Sequence, residues 1–220
     1  MQNSLAGAPR ISLGIKIVYT AWVVVLVPVW IEVQGLENFL WLSDIGLLGT
    51  CLALWLENRF LASMMALGVV LPDLAWTVIF VGRLLIDAGS LERSGYMFDE
   101  NLSLFVRGLS LYHVFVPPLL VWMVRRLGYD RRALPAQILF TCILLPLTYA
   151  VTAPAENINF VFGFGEPPEP PVPQPYWLLA QLIGLPLGAY LPMHWILNRW
   201  SRSGRVEHGQ RESKTSRAPG

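Results

Sequence analysis

The sequence predicts an all-α, polytopic membrane protein with about six transmembrane helices and both termini in the cytoplasm. Hydrophobic residues make up 54% of the 220 positions and charged residues only 14%, whereas a soluble domain carries about a quarter charged residues. The apolar runs each reach roughly 17–25 residues, the length that lets a helix cross a ~30 Å hydrocarbon core. The cationic residues are concentrated in alternate connecting segments, as in loops on opposite sides of a membrane.

Six apolar runs mark the predicted helices. They are Lys16–Val33, Asn38–Leu56, Phe60–Leu85, Leu104–Val124, Gln137–Ala153 and Tyr176–Leu197. The first run follows basic residues, as a signal peptide does, but "WIEVQG" and no small-x-small cleavage site comes after it. We therefore interpret it as a retained helix. Residues 1–198 are expected to form one transmembrane domain, and 199–220 a cationic, disordered cytoplasmic tail.

The charge distribution predicts the topology. With a cytoplasmic amino terminus, thirteen cationic residues fall on the inner side: Arg10, Lys16, Arg59, Arg125, Arg126, Arg131, Arg132, Arg199, Arg202, Arg205, Arg211, Lys214 and Arg217. Only three fall on the outer side: Arg83, Arg93 and Arg107. Six spans thus satisfy the positive-inside bias in every loop. We interpret the basic segment 125–137 as a topology determinant in preference to a specific lipid-headgroup site.

Two outer segments have distinctive compositions. "GEPPEPPVPQP" (165–175) is proline-rich and acidic, and predicts an extended polyproline spacer. "ENINFVFGFGEPP" (156–168) follows the fifth span and contains Asn157 and Asn159. We interpret it as an outer turn packed on the bundle in preference to a lid over a substrate site.

Polar side chains cluster in the outer half of the predicted bundle. From the helical rise of 1.5 Å per residue, Ser43 and Asp44 lie roughly 8–10 Å below the outer boundary, Asp73 ~15 Å and His113 ~12–14 Å. Thr148 and Tyr149 lie within ~8 Å of the outer end of their span, and Arg107 is near an outer entry. An ionised Asp at mid-bilayer costs at least ~2.5–3.5 kcal/mol. The carboxylates are therefore expected to face a polar interior open to the outer leaflet.

Prolines accompany these polar residues. Pro72 precedes Asp73, Pro117 and Pro118 follow His113 by one turn, and Pro146 precedes Thr148. Each proline frees a backbone carbonyl and bends its helix. Their repeated position beside polar side chains favours a shaped cavity.

Ser43, His113 and the two aspartates are the residue types of a nucleophile, a general base and an orienting acid. Either Asp44 or Asp73 could orient the imidazole. The alternative is a buried hydrogen-bond network that only holds the bundle together. A haem or metal site is disfavoured because His194 lies ~13 Å or more below the level of His113 and no metal-ligand motif is present. We expect no cofactor, no metal and no nucleic-acid partner.

Three segments resemble a known group of membrane proteins. "FLWLSDIG", "SLYHVFVPPLL" and "NINFVFGFGEPP", within residues 38–168, resemble segments of the androgen-induced membrane hydrolases and the bacterial YwaF-type integral membrane proteins. In those families a Thr or Cys on an early span and a His on a later span are the proposed catalytic pair. The resemblance implies a lipid-directed acyl hydrolase or acyltransferase with Ser43 as nucleophile and His113 as base. Ser stands here in place of Thr or Cys, and the Pro-Asp pair of the third span has no counterpart.

The sequence thus favours hydrolysis or transfer of an acyl group on a lipid ester, in the inner (plasma) membrane of a bacterium, with membrane lipids as partners. The substrate-binding residues would be Thr148, Tyr149, Asn157, Asn159 and Arg107, the last attracting an anionic headgroup. A small proton- or cation-coupled transporter that uses Asp44 and Asp73 is the main alternative. A noncatalytic membrane subunit is another.

Overall fold

The computed structural model describes residues 11–86, 92–165 and 167–200. Regular structure in these residues is helical, apart from one isolated β-bridge. The α-helices are α1 (Leu13–Gln34), α2 (Leu42–Leu56), α3 (Arg59–Ile86), α4 (Leu104–Leu109), α5 (Tyr112–Leu127), α6 (Ala133–Val151) and α7 (Gln174–Leu185). Short 3₁₀ helices occupy Leu36–Leu40, Glu92–Phe98 and Ile158–Phe160, and a π-helical turn at Pro186–Tyr190 carries the path of α7 on to Trp200. The predicted all-α class is confirmed for the described residues.

Within the described residues, five helices are long and apolar enough to cross a membrane. They are Leu13–Gln34, Arg59–Ile86, Leu104–Leu127, Ala133–Val151 and Gln174–Trp200. The second predicted span differs, because a 3₁₀ helix and a break at Trp41 come before α2, which has only 15 residues. Most of the predicted tail, residues 201–220, lies outside the described residues.

Helix α3 lies at the centre of the bundle and packs against α2, α5 and α6. Glycines permit this close approach. A Cβ atom at Gly46 would come within 2.4 Å of Val69, and one at Gly68 would come within 2.7 Å of Gln137. Small residues at helix contacts are the usual means of close packing in membranes. The interface between α2 and α3 therefore holds the α2 polar residues at a fixed distance from those of α3.

The fourth predicted span is divided. Ser110 and Leu111 form a turn between α4 and α5, so α5 begins only one residue before His113. Pro117 lacks an N–H group and cannot satisfy the carbonyl of His113, four residues earlier. Thr77 of α3 supplies the missing donor, with its Oγ1 3.1 Å from that carbonyl oxygen. The expectation that a proline frees a carbonyl beside a polar residue is confirmed here, and the freed carbonyl joins α5 to α3.

The segment after α6 is a packed turn, as the sequence predicted. Asn159 has a left-handed backbone with φ of 54°, a conformation that Asn tolerates better than most residues. Its Oδ1 accepts a hydrogen bond from the amide of Leu42 at 2.9 Å, and its Nδ2 donates to the carbonyl of Leu40 at 2.8 Å. Asn157 Nδ2 donates to the carbonyl of Gly163. The turn thus holds the amino-terminal end of α2.

The prediction of an extended proline-rich spacer is wrong for its first part. Phe164 and Glu169 pair through two backbone hydrogen bonds, of 3.2 and 2.8 Å. The chain can reverse tightly because Gly163 has φ of 120° and lies so close to the Glu169 backbone that a Cβ atom would overlap it. Composition indicated polyproline, but the glycines before the prolines determine the local path.

At the opposite end of the bundle, Asp130 is buried between α5 and α6. Arg132 binds both of its carboxylate oxygens, at 3.0 and 2.8 Å, and Arg59 Nε lies 3.4 Å from Oδ2. The amide of Asp130 donates to Ser63 of α3. These charge-assisted bonds lower the pKa of Asp130 to about 2, with the Arg132 side chain as the largest cause. The basic segment therefore also has a structural role.

Candidate functional site

Two buried carboxylates lie in the half of the bundle that contains the carboxyl end of α3. Asp44 of α2 and Asp73 of α3 are each only 2% exposed. Both have polar partners on other elements, so the prediction that the two acids point into the bundle is confirmed. Each carboxylate is the centre of a distinct set of contacts.

Asp73 pairs with His113 of α5. Its Oδ1 lies 3.1 Å from His113 Nδ1, and the exposed fractions of the two side chains are 3% and 11%. The imidazole also lies against the indole of Trp76, with ring centroids 4.5 Å apart. Thr77 fixes the same region of the backbone, because its hydroxyl is directed at the carbonyls of both Asp73 and His113. The imidazole is therefore held by a carboxylate, an aromatic ring and the backbone.

Asp44 pairs with neutral groups. Tyr112 donates its hydroxyl to Asp44 Oδ1 at 3.0 Å, and Asn38 donates its Nδ2 to Oδ2 at 2.9 Å. The Tyr112 hydroxyl also lies beside the side chain of Ser43, and its ring centroid is 4.1 Å from that of His113. Tyr112 thus connects the serine, one carboxylate and the histidine.

The arrangement defines a direction for proton transfer. When the imidazole is neutral and its Nδ1–H donates to Asp73, Nε2 is left as the basic nitrogen. A carboxylate that accepts from the far nitrogen also stabilises the imidazolium that forms when Nε2 takes a proton. Asp73, and not Asp44, is therefore the aspartate that orients His113. The sequence left this choice open.

One oxygen of this pair has no partner. Asp73 Oδ2 is buried and makes no hydrogen bond to any group in the part of the chain that the structure describes. An unsatisfied buried acceptor of a charged group is costly, and such groups are uncommon in native proteins. The pair is thus only partly saturated by protein contacts.

An open apolar groove lies on the surface of α3, with a volume of about 380 Å³. The residues that line it are Thr77, Val78, Val81, Gly82, Leu85 and Ile86. Val78, Val81, Leu85 and Ile86 are exposed, whereas Asp73, one helical turn before Thr77, is buried and does not line the groove. From Thr77 to Ile86 the groove is about 14 Å long at 1.5 Å per residue.

The predicted substrate-binding residues mostly make structural contacts. Thr148 is fully buried and returns its hydroxyl hydrogen bond to the carbonyl of Leu144 in its own helix. Tyr149 is 38% exposed and stacks on Phe162. Arg107 donates from Nη1 to the carbonyl of Met97 at 3.0 Å.

Asn157 and Asn159 are likewise used within the turn and at the start of α2, as described above. Asn159 is the residue of this set that is linked to the site, because it holds Leu42, the neighbour of Ser43. In the described part of the chain, no three His, Cys, Asp or Glu side chains are grouped as metal ligands.

Sequence reasoning missed Tyr112, Asn38 and Trp76. Tyr112 and Asn38 lie within apolar runs, where an aromatic or amide side chain has no pattern that reveals a partner on another helix. A signal existed for Trp76, which is three residues after Asp73 and therefore on the same helix face.

No protein-family model, curated protein or solved structure matches this chain.

Proposed function

We propose that this integral membrane protein hydrolyses or transfers an acyl group on a lipid ester within the bilayer. The observation that carries the proposal is the 3.1 Å contact between Asp73 Oδ1 and His113 Nδ1, which leaves the second imidazole nitrogen available as a general base. The resemblance to the androgen-induced hydrolase and YwaF-type families supports the same chemistry.

In the proposed reaction, Ser43 is the nucleophile. His113 Nε2 takes the proton of the Ser43 hydroxyl as Oγ bonds to the ester carbonyl carbon. The lipid alcohol leaves with that proton, and an acyl-serine remains. Water, or the hydroxyl of a second lipid, then attacks the acyl group and gives its proton to His113, which restores the serine. Tyr112, beside Ser43, positions the hydroxyl and Asp44.

The groove on α3 is suited to the acyl chain. Its lining is apolar apart from Thr77, which is one turn from Asp73, and it follows a helix long enough to cross a membrane. A chain in this groove would remain among hydrocarbon while its ester group lies at the level of Thr77.

The nucleophile and the base are tested together. Ser43→Ala and His113→Ala should each abolish lipid-ester turnover and labelling by a fluorophosphonate, and the double variant should be no worse than either, because residues of one catalytic unit are not additive. His194→Ala is the matched control, since His194 bonds Tyr129 Oη in a different part of the bundle. Full activity in Ser43→Ala would overturn the nucleophile assignment.

A proton-coupled carrier is a second candidate. The supporting observation is that two carboxylates, Asp44 and Asp73, are both buried at 2% exposure and connected through Tyr112 and His113. Buried acids in membrane spans commonly form proton relays. Two results together would favour this function. The wild-type protein would carry protons across vesicle membranes and lose this flux in Asp73→Asn, and it would not be labelled by a fluorophosphonate. If neither activity is present, the remaining reading is a noncatalytic subunit.

We also propose six crossings, with both termini in the cytoplasm of a bacterium and the chain in the inner membrane. The sixth crossing would be α2 together with the preceding 3₁₀ helix. The positive-inside bias supports it, because five crossings would put the two termini on opposite sides. Reporter fusions at Gly165 and Gly220 should then lie on opposite sides of the membrane. Both reporters on one side would contradict six crossings.

A further inference from the structure

The unpartnered oxygen of Asp73 indicates what kind of headgroup the proposed site takes. Asp73 is 2% exposed, and its Oδ1 is occupied by His113 while its Oδ2 has no hydrogen-bond partner in residues 11–86, 92–165 and 167–200. By contrast, both oxygens of Asp44 accept hydrogen bonds. Of the four carboxylate oxygens, only Asp73 Oδ2 therefore remains open as an acceptor.

The local charge also disfavours anions. Two carboxylates lie in the cluster, and no hydrogen bond joins either of them to an arginine among the described residues. The buried Nε of Arg107 also has no hydrogen-bond partner there. Arg107 donates to the Met97 carbonyl, and the Arg83 guanidinium lies 4.5 Å from the ring centroid of Phe98. His113 is thus the cationic partner when it is protonated, and it is already paired with Asp73.

We infer that Asp73 Oδ2 accepts a hydrogen bond from the substrate headgroup, so that the substrate is a lipid ester whose headgroup carries a hydroxyl or ammonium donor, and anionic headgroups are rejected. This inference rests on the proposed function and names the substrate class of that site. It differs from the sequence expectation, in which Arg107 attracts an anionic headgroup.

The geometry gives the donor a defined place. Thr77, one turn from Asp73, is the lining residue of the apolar groove that is nearest to Asp73 along α3. An acyl chain in the groove would put the alcohol side of the ester beyond Thr77, at the level of Asp73. A free hydroxyl next to the ester, as in a partially acylated glycerol, is then within reach of Oδ2. A phosphate in that position would meet the carboxylate as a like charge.

Binding of two non-hydrolysable ether lipids tests the inference. The ligands are 1-O-dodecylglycerol, which has two hydroxyl donors, and 1-O-dodecylpropane-1,3-diol 3-phosphate, which lacks the hydroxyl at carbon 2. The measurement is calorimetric titration of the full chain in an uncharged detergent. We expect the Kd of the neutral lipid to be about tenfold lower or more, since a site built around a hydrogen bond discriminates strongly against a ligand that cannot make it. Equal or tighter binding of the phosphate by the wild-type protein would overturn the inference.

Two variants separate a specific hydrogen bond to Asp73 from the effect of the negative charge of the two carboxylates on ligand binding. Asp73→Asn should remove most of the difference in Kd between the two ligands. Asp44→Asn removes the same charge, but the oxygens of Asp44 are already bonded, so this variant should retain most of the difference. An equal loss in both variants would refute a direct contact with Asp73. Because neither ligand has a carboxylic ester, the outcome does not depend on acyl turnover. Retained discrimination without ester hydrolysis would overturn the hydrolase proposal alone.

Discussion

The two ends of the bundle bury aspartates in opposite ways. Asp130 is saturated by cations and backbone groups, with Arg132 on both oxygens and Arg59 nearby. Asp44 and Asp73 have neutral or titratable partners, and Asp73 keeps one oxygen open. A fully paired buried charge fixes local structure, whereas a partly paired one can still bind or transfer a proton. The contrast distinguishes a structural carboxylate from a candidate catalytic one.

The largest expected difference between the two ends is in activity. Asp73→Asn and His113→Ala should each reduce lipid-ester turnover by about 10²–10⁴-fold, the usual contribution of a general base. Asp130→Asn should leave turnover nearly unchanged and lower the thermal midpoint, because it removes charge-assisted hydrogen bonds. Turnover and thermal unfolding are measured on the same detergent-solubilised samples. A loss of turnover in Asp130→Asn at a temperature where it is folded would contradict the division of roles.

The support of the start of α2, next to Ser43 and Asp44, is tested at Asn159. Asn159→Ala removes one bond to the Leu42 amide and one to the Leu40 carbonyl, so it should lower the free energy of unfolding by about 1–3 kcal/mol. Asn159→Asp keeps an acceptor for Leu42 but loses the donor for Leu40, and should lie between Ala and the wild type. Chemical denaturation of the three proteins measures the order. An Asp variant less stable than the Ala variant would show that the Leu40 carbonyl dominates.

The groove is tested by filling it. A Cβ atom at Gly82 would meet nothing within 4 Å, so Gly82→Phe should fold and occupy the groove. Displacing two methylenes of an acyl chain, at ~0.8 kcal/mol each, should lower kcat/KM about tenfold for long-chain esters. Gly184→Phe on α7, also at an open position, is the control. Equal kcat/KM in the two variants would exclude the groove as the chain site.

The smallest expected effect is a pH dependence of stability at Asp130. The pKa of Asp130 is lowered from 3.8 to about 2, so its contribution to stability is complete above about pH 3.8 and is lost as the pH falls toward 2. The thermal midpoint of the wild type should therefore fall as the pH is lowered over that interval. In Asp130→Asn the thermal midpoint should fall less over the same interval. The same pH profile in the variant and the wild type would contradict a contribution from Asp130.

Composition and the length of the apolar runs predicted the all-α class, because both reflect the hydrocarbon surroundings that such helices require. The burial of Asp44 and Asp73 was also predictable, because a carboxylate that faces lipid is costly whichever residue it would contact inside the bundle. The partners themselves were not predictable. Which aspartate meets His113 depends on the rotation of α2 relative to α3, and that rotation is set by contacts such as Gly46 with Val69. The break before α2 was also hidden within a continuous apolar run.

The short α2 affects the lipids around the site. Fifteen residues make a helix about 22 Å long, which is shorter than a hydrocarbon core of ~30 Å. Such hydrophobic mismatch is relieved by local thinning of the bilayer or by polar flanking segments that reach into it. If α2 crosses the membrane as proposed, we expect lipids beside it to sit lower in the leaflet than lipids beside α3. Their interfacial region, with its ester groups and water, comes closer to the level of Ser43 without any lipid leaving the membrane.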